Sequence, residues 1–167
     1  MEAKTVATPC GNVIGEVTDC GARFRGVRYA TAKRFEKPVL VTKYDGEQNA
    51  VEQGVCCPHM RAFWNEEHRF YYQEFRKGKS FTYSEDCLIL DVYQPKTADK
   101  CPVIVFIHGG SFTGGSINEM QFDGSAYAKR GVVFVAINYR LNVFGFYADK
   151  THVKGNLGLL DQYTAIE

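Results

Sequence analysis

A glycine-rich run that follows a strongly apolar stretch holds the residues best suited to chemistry. Residues 108–115 read His-Gly-Gly-Ser-Phe-Thr-Gly-Gly, and residues 102–107 before them are all apolar. Glycines let the backbone turn sharply and bring its N–H groups close to a substrate oxygen. Two such donors aimed at one point stabilise the negative charge that develops on a carbonyl oxygen during acyl transfer. The run therefore favours an oxyanion-binding loop, and a flexible loop that only turns the chain is the alternative.

Other chemistries receive less support from the sequence. Cys56, Cys57 and His59 are close together, but no second Cys pair or His pair follows at the spacing of a zinc site. No Gly-x-x-x-x-Gly-Lys-Ser/Thr occurs, and no Gly-x-Gly-x-x-Gly opens a helix, so a phosphate cradle is not indicated. We predict no metal site and no cofactor.

The apolar pattern places the glycine-rich run at the end of a sheet strand. Residues 102–108 and 131–139 are apolar on both faces, as internal strands are. Residues 123–131 between them begin with an Asp that can cap a helix and end with a Gly. This order predicts a βαβ unit with parallel strands. The run then lies beyond the carboxyl ends of the strands, where ligands collect in open α/β sheets.

Further elements flank this unit. Residues 13–17 and 23–29 alternate in polarity around a short turn, which predicts an antiparallel hairpin. Residues 87–93 are rich in apolar and β-branched side chains and predict another strand. Residues 156–167 have apolar side chains near helical spacing, whereas residues 35–83 carry no readable pattern.

Composition excludes several classes of protein. The 167 residues include 20 Lys and Arg against 19 Asp and Glu, and the net charge of +1 argues against a nucleic-acid or membrane-surface partner. No run approaches the roughly 18 apolar residues of a membrane helix. Glu2 and Lys4 stand where a secretory signal would be apolar, and no Asn-x-Ser/Thr occurs. We expect one compact region in a cytoplasmic protein, with secretion as the alternative.

Five stretches, in chain order, resemble the type-B carboxylesterase and cholinesterase family of α/β-hydrolases. They are residues 24–30 with the later Arg34-Phe35, residues 84–92, the start of the glycine-rich run, residues 138–146, and residues 155–162, which read Gly-Asn-Leu-Gly-Leu-Leu-Asp-Gln. The resemblance covers nearly all of the chain but only about the first third of the family's catalytic domain. It implies that residues 1–167 are an incomplete N-terminal segment of one α/β-hydrolase fold, in which antiparallel N-terminal strands lead into a mostly parallel sheet.

The resemblance also implies which residues form the oxyanion hole. The donors are the backbone N–H groups of Gly110 and Ser111, in a loop that includes His108, Gly109 and Phe112. Most members of the family have Gly where this chain has Ser111, a departure that is tolerable if the φ of Ser111 stays negative. His108 is expected to be structural rather than a base.

The same resemblance implies an ion pair and, separately, a disulfide. Glu85 and Asp86 are expected to be structural, in a buried ion pair with an Arg such as Arg28 or Arg34.

Cys87 matches the family cysteine that closes a loop with an upstream Cys-Pro, here Cys57-Pro58, and Cys56 is the competing partner. In the chain-entropy model such a bridge contributes about 3 to 4 kcal/mol where the compartment allows it.

The catalytic triad of the family has no counterpart in these residues. Ester hydrolysis in this family requires a Ser in Gly-x-Ser-x-Gly, then an acid and a His. No Gly-x-Ser-x-Gly occurs here, and His59, His68, His108 and His152 all precede the place where that Ser would come. Trp64 does not match a cholinesterase-like cation site.

The resemblance thus implies a carboxylic ester hydrolase whose oxyanion loop is present and whose nucleophile, acid and His are not. The expected substrate of the parent enzyme is a small-molecule ester, and the missing C-terminal portion is the expected complementing chain. We predict that the chain alone is inactive. The alternatives are a catalytically inactive binding or adhesion module and a truncated gene product without a function of its own.

Overall fold

A mixed β-sheet forms the centre of the molecule. The computed structural model describes residues 2–59, 67–97, 99–149, 151 and 153–167, so Trp64 and His152 lie outside the described residues. Across the described residues the main sheet has seven strands in the order β1-β2-β3-β7-β9-β8, with β6 paired to β2, and β4 and β5 form a separate ribbon. The strands are β1 Ala3–Thr8, β2 Gly11–Thr18, β3 Gly21–Arg28, β4 Ala30–Thr31, β5 Val39–Leu40, β6 Gln48–Asn49, β7 Ile89–Pro95, β8 Val103–Ile107 and β9 Val133–Ile137.

The predicted N-terminal hairpin is confirmed. Strands β2 and β3 pair antiparallel, with Glu16 opposite Arg23, and β1 adds a further antiparallel strand on the other side of β2. Strand β7, also predicted, pairs antiparallel with both β3 and β9. The antiparallel part of the sheet therefore continues to the point where the βαβ unit begins.

The βαβ unit is confirmed as well. Strands β8 and β9 are parallel neighbours in the same sheet. The helix between them, α2, is shorter than residues 123–131 and covers Ser125–Ala128. Gly124 is its N-cap, while the Asp123 carboxylate accepts a hydrogen bond from the Ser125 N–H at 2.8 Å. The two parallel strands end at the same edge of the sheet, where residues 108–115 begin.

Helices lie outside the sheet. The predicted C-terminal helix is confirmed. The described part of residues 35–83, which had no readable pattern, contains β5, β6 and one short helix. The remaining helices are α1 Phe70–Phe75, a 3-10 turn Met120–Phe122, α3 Asn142–Phe146 and α4 Leu157–Ile166. Within the described residues, no helix is both long and apolar enough to cross a membrane.

Strand β8 lies at the edge of the sheet and leaves apolar side chains in solvent. Val103 is 60% exposed, and Ile104, Val105 and Ile107 are each 40% exposed. The opposite situation holds at the centre, where Tyr93, Phe134 and Ala136 of β7 and β9 are buried. An apolar, unpaired edge of this kind is a template for pairing with another strand.

Candidate active site

His108 anchors the glycine-rich loop to the sheet. The residue directly follows β8 and is buried. Its ring stacks on that of Tyr139, with ring centroids 4.6 Å apart and planes 19° from parallel. The Tyr139 hydroxyl also donates a hydrogen bond to the His108 carbonyl oxygen at 3.0 Å. Burial raises the pKa of Tyr139, so this hydroxyl keeps its proton as a donor. These contacts are typical of a structural residue, and the structural role of His108 stays a prediction.

Two glycines allow the loop to fold tightly on itself. Gly110 has φ +128°, and a Cβ there would lie 1.9 Å from the Gly114 carbonyl oxygen. Gly115 has φ +110°, and a Cβ there would lie 2.4 Å from the Gly109 carbonyl oxygen. Both positions combine a backbone conformation that L residues rarely adopt with contacts that leave no room for a side chain.

Ser111 does not have the negative φ under which Ser would be readily tolerated at this position. Ser111 has φ +53° and Phe112 has φ +59°, so both adopt the left-handed conformation. The loop is held in it from outside, since the Phe112 carbonyl accepts a hydrogen bond from the Asn142 N–H at 2.8 Å. The Phe112 ring also contacts that of Phe146, with centroids 4.6 Å apart. These contacts from α3 hold a backbone that the sequence by itself disfavours.

The amides of Gly110 and Ser111 are available to a ligand. In the part of the chain that the structure describes, neither N–H donates a hydrogen bond, whereas the Gly110 carbonyl accepts from the Thr113 N–H at 3.0 Å. The Thr113 hydroxyl donates to the same oxygen at 3.1 Å. The Gly110 carbonyl oxygen is thus already hydrogen-bonded within the turn, whereas the N–H groups of Gly110 and Ser111 are not. Such a pair can bind an anionic oxygen.

The serines near the loop differ in accessibility. Ser111 is exposed. Ser116 is 1% exposed, and its hydroxyl lies 3.0 Å from the Cys56 sulfur and accepts a hydrogen bond from the Asn118 N–H at 3.1 Å. Burial raises the pKa of Cys56, which keeps this thiol protonated. Ser116 and Cys56 are therefore packing residues.

The acidic pair makes its expected contacts, but at the surface. Arg28 pairs with Asp86, and Arg34 pairs with Glu85. Arg28 Nη2 lies 2.9 Å from Asp86 Oδ2, and Arg34 Nε lies 2.9 Å from Glu85 Oε2. The expectation of a buried ion pair is wrong, because the Asp86 and Arg34 side chains are each 60% exposed.

A buried ion pair joins Arg140 and Asp161, and the sequence analysis did not predict this pairing. Arg140 Nη2 lies 2.7 Å from Asp161 Oδ1, and the two side chains are 3% and 0% exposed. Although burial opposes charge, the hydrogen bond and the charge of Asp161 raise the pKa of Arg140. Arg140 also donates to the Glu36 carbonyl at 2.8 Å. Arg140 lies in residues 138–146 and Asp161 in residues 155–162, two of the stretches that resemble the family, and this resemblance was the sequence feature that could have indicated the pair.

The cysteines that were expected to form a disulfide lie together as thiols. All six cysteines are free, and Cys57 and Cys87 share one buried cluster with Tyr139 and Leu141. A hydrogen bond with Cys57, together with burial, raises the pKa of Cys87. The competing Cys56 contacts Ser116 instead. Among the described residues, no group of three or more His, Cys, Asp or Glu side chains is arranged to hold a metal ion.

A strand followed by a tight glycine loop with two free amides, next to a parallel neighbour in a mixed sheet, defines the N-terminal part of an α/β-hydrolase fold. A solved PNB esterase superposes on 98% of this chain with a TM-score of 0.82 and 31% identity. The profile of the carboxylesterase family matches residues 2–167, and the chain belongs to that family.

Curated relatives include both esterases and a neuroligin-like protein. Carboxylesterase 3B of Mus musculus is 39% identical over 178 residues, covering 96% of this chain and 30% of its own length. Neuroligin-like protein glit-1 of Caenorhabditis elegans is 35% identical over 162 residues, covering 86% of this chain and 20% of its own length. The chain covers 34% of the PNB esterase, so it spans about a fifth to a third of the proteins it resembles.

Proposed function

We propose that this chain supplies the oxyanion hole of a serine-type carboxylic ester hydrolase. The observation that carries the proposal is the pair of unbonded amides at Gly110 and Ser111, placed at the carboxyl end of β8. When a nucleophile attacks an ester carbonyl, the oxygen becomes negatively charged. These two N–H groups donate to it, and because the loop is already folded they need no reorganisation during the reaction.

The remaining catalytic groups come from outside these residues. A complementary portion of the catalytic domain supplies the nucleophilic Ser, the acid and the His, since no Gly-x-Ser-x-Gly occurs here. The apolar edge at β8 and the exposed Leu159, Tyr163 and Ile166 of α4 are the surfaces that this portion covers. The substrate is a small-molecule carboxylic ester, which is the class of substrate that this hole recognises.

A second candidate is an esterase-like binding or adhesion module without catalysis. It is favoured by the similarity to a neuroligin-like protein. The esterase and the binding module differ in whether the Gly110 and Ser111 amides stabilise a transition state, and the effect of these amides on kcat distinguishes the two.

The first experiment tests the donors in an active enzyme. Residues 108–115 replace the matching segment of the PNB esterase, and Gly110 is then replaced by glycolic acid, which exchanges its N–H for an ester oxygen. Loss of one oxyanion donor should lower kcat about 100- to 1000-fold. The same exchange at Gly109 is the matched control and should have a much smaller effect. Equal effects at both positions would contradict the assignment of the donors.

The second experiment tests the chain alone. Purified residues 1–167 should show no turnover of a short-chain aryl ester above the buffer rate, because oxyanion donors act on a reaction that a nucleophile and base must start. Ser111→Ala and Ser116→Ala test whether either hydroxyl acts. If the purified chain still hydrolyses the ester after both substitutions and after removal of contaminating hydrolases, then the catalytic groups are not the ones assigned here.

A further inference from the structure

A cavity lies beside residues 117–123, which follow the glycine-rich loop. It has a volume of about 160 Å³, is partly open to solvent, and is lined by residues of β3, β7 and 117–123 together with Gln53 and Lys79. This volume is below the roughly 300 Å³ at which pockets for drug-sized ligands begin. It equals the liquid volume of about five water molecules. The cavity therefore suits a compact ligand.

Buried polar atoms at this cavity have unused hydrogen-bonding capacity. Glu119 is 2% exposed, and its Oε2 accepts from the Tyr71 hydroxyl and from Gln121 Nε2, whereas its Oε1 has no partner within the described part of the chain. Asn118 shows the same division, since Nδ2 donates to the Gly54 carbonyl at 2.6 Å and Oδ1 has no partner there. A buried acceptor left without a donor costs about 1–3 kcal/mol, so both oxygens favour a ligand that donates.

The lining of the cavity also includes cationic donors. Arg25 Nη2 donates to the Val51 carbonyl at 2.7 Å and lies 3.5 Å from Glu16 Oε1, while its buried Nε has no partner among the described residues. Lys79 also lines the cavity and is exposed at its rim. Arg23 is already engaged, because its Nε donates to Glu16 at 2.7 Å.

Charge of both signs excludes the simplest ligands. Three cationic side chains and three carboxyl groups line the cavity, namely Arg23, Arg25, Lys79, Asp91, Glu119 and Asp123. A metal cation would meet the cationic side chains, and an inorganic anion would meet the carboxyl groups. A molecule with an ammonium group at one end and a carboxylate at the other matches both signs of charge. We propose that this cavity binds a small zwitterion of the α-amino acid type, with its ammonium toward Glu119 and Asn118 and its carboxylate toward Arg25 and Lys79. This site is independent of ester hydrolysis.

Calorimetric titration of the 167-residue chain with glycine tests the proposal, with acetate and methylammonium as single-charge probes. Glycine should bind with a Kd below about 10 mM, and each single-charge probe should bind at least about tenfold more weakly. Equal binding of either single-charge probe, or no heat with glycine because the cavity holds only solvent, would overturn it.

Two variants locate the binding in the cavity. Glu119→Gln should weaken glycine binding about tenfold or more. Lys79→Met should weaken it at least about threefold. This variant keeps the proposal testable if Glu119→Gln fails to fold, since the Lys79 side chain forms no ion pair with any residue that the structure describes. Lys77→Met, at an exposed lysine two residues earlier outside the lining, is the matched control. Glycine binding that is unchanged in Lys79→Met and in a folded Glu119→Gln would place the ligand elsewhere and overturn the proposal.

Discussion

Tyr139 and His108 join the ends of two parallel strands by a ring stack and a hydrogen bond. The ring centroids are 4.6 Å apart, and the Tyr139 hydroxyl donates to the His108 carbonyl at 3.0 Å. Because β8 and β9 are neighbours, this contact fixes the point from which the oxyanion loop departs. Loop geometry at the candidate site thus depends on a residue 31 positions downstream.

Tyr139→Phe should therefore keep the stack and lose the hydrogen bond. The buried His108 carbonyl would be left without this donor, and we expect the free energy of unfolding to fall by about 1–3 kcal/mol. Urea denaturation measures it. Tyr127→Phe is the matched control, because Tyr127 also stacks on an aromatic ring but is 44% exposed. A loss equal in both variants would mean that the hydroxyl contact contributes nothing specific.

Gly110→Ala should distort the loop, whereas Gly109→Ala should not. At Gly110 a Cβ meets the Gly114 carbonyl oxygen at 1.9 Å in a backbone with φ +128°, but at Gly109 it meets nothing within 4 Å. We expect Gly110→Ala to lower the free energy of unfolding by at least about 1–3 kcal/mol. Gly109→Ala should change it by less than about 1 kcal/mol. Denaturant melts of the two variants check this, and similar stabilities would contradict the described loop.

Asp91 should make the protein less stable as the pH rises toward neutrality. Burial raises the pKa of this carboxyl from 3.8 to about 7, opposed in part by the Gly26 N–H and by Arg25 and Arg23, while Asp123 adds to the rise. The native state then holds a proton that the unfolded state has lost between about pH 4 and pH 7, so stability decreases with pH across this window and levels off above it. A shift of this size corresponds to at most roughly 4 kcal/mol.

Asp91→Asn should remove this slope and raise the free energy of unfolding at pH 8, because the amide can still accept the Gly26 N–H. Denaturation at pH 5 and pH 8 measures the difference. Asp123→Asn, at a neighbouring carboxylate that is 45% exposed, should leave the slope in place. A wild-type protein that is more stable at pH 8 than at pH 5, with Asp91→Asn showing the same trend, would refute the assignment.

Oxidation should link Cys57 to Cys87. The two thiols contact each other in a buried cluster. A disulfide between these cysteines, which are 30 positions apart, would stabilise the fold by about 3 to 4 kcal/mol in the chain-entropy model. Mass spectrometry of non-reduced peptides from protein made in an oxidising compartment checks the linkage. Cys57→Ser should abolish it and Cys56→Ser should not. A bridge from Cys87 to Cys10, Cys20 or Cys101 would show that the pairing is wrong.

The local pattern of apolar residues was enough to predict the strands and the helix that position the candidate site. Strands β2, β3, β7, β8 and β9 and helix α4 could be predicted because their apolar residues recur at the period of the secondary structure, which each segment carries in itself. The glycine-rich run could be placed at the carboxyl end of β8 for the same reason. The identity of the oxyanion donors came only with the family resemblance, since no period marks an unbonded N–H.

Tertiary structure alone decided the features that depend on distant partners. Ser111 and Phe112 are left-handed because Asn142 and Phe146 of α3 hold them, although local sterics favour a negative φ for residues with a Cβ. The buried ion pair is Arg140 with Asp161 rather than the acidic pair that follows Ser84, because burial depends on which segments pack together. The cavity beside Glu119 and the raised pKa of Asp91 arise where β3, β7 and residues 117–123 meet. Desolvation and backbone strain depend on which distant residues surround a group in the folded protein, and local sequence patterns do not show these neighbours.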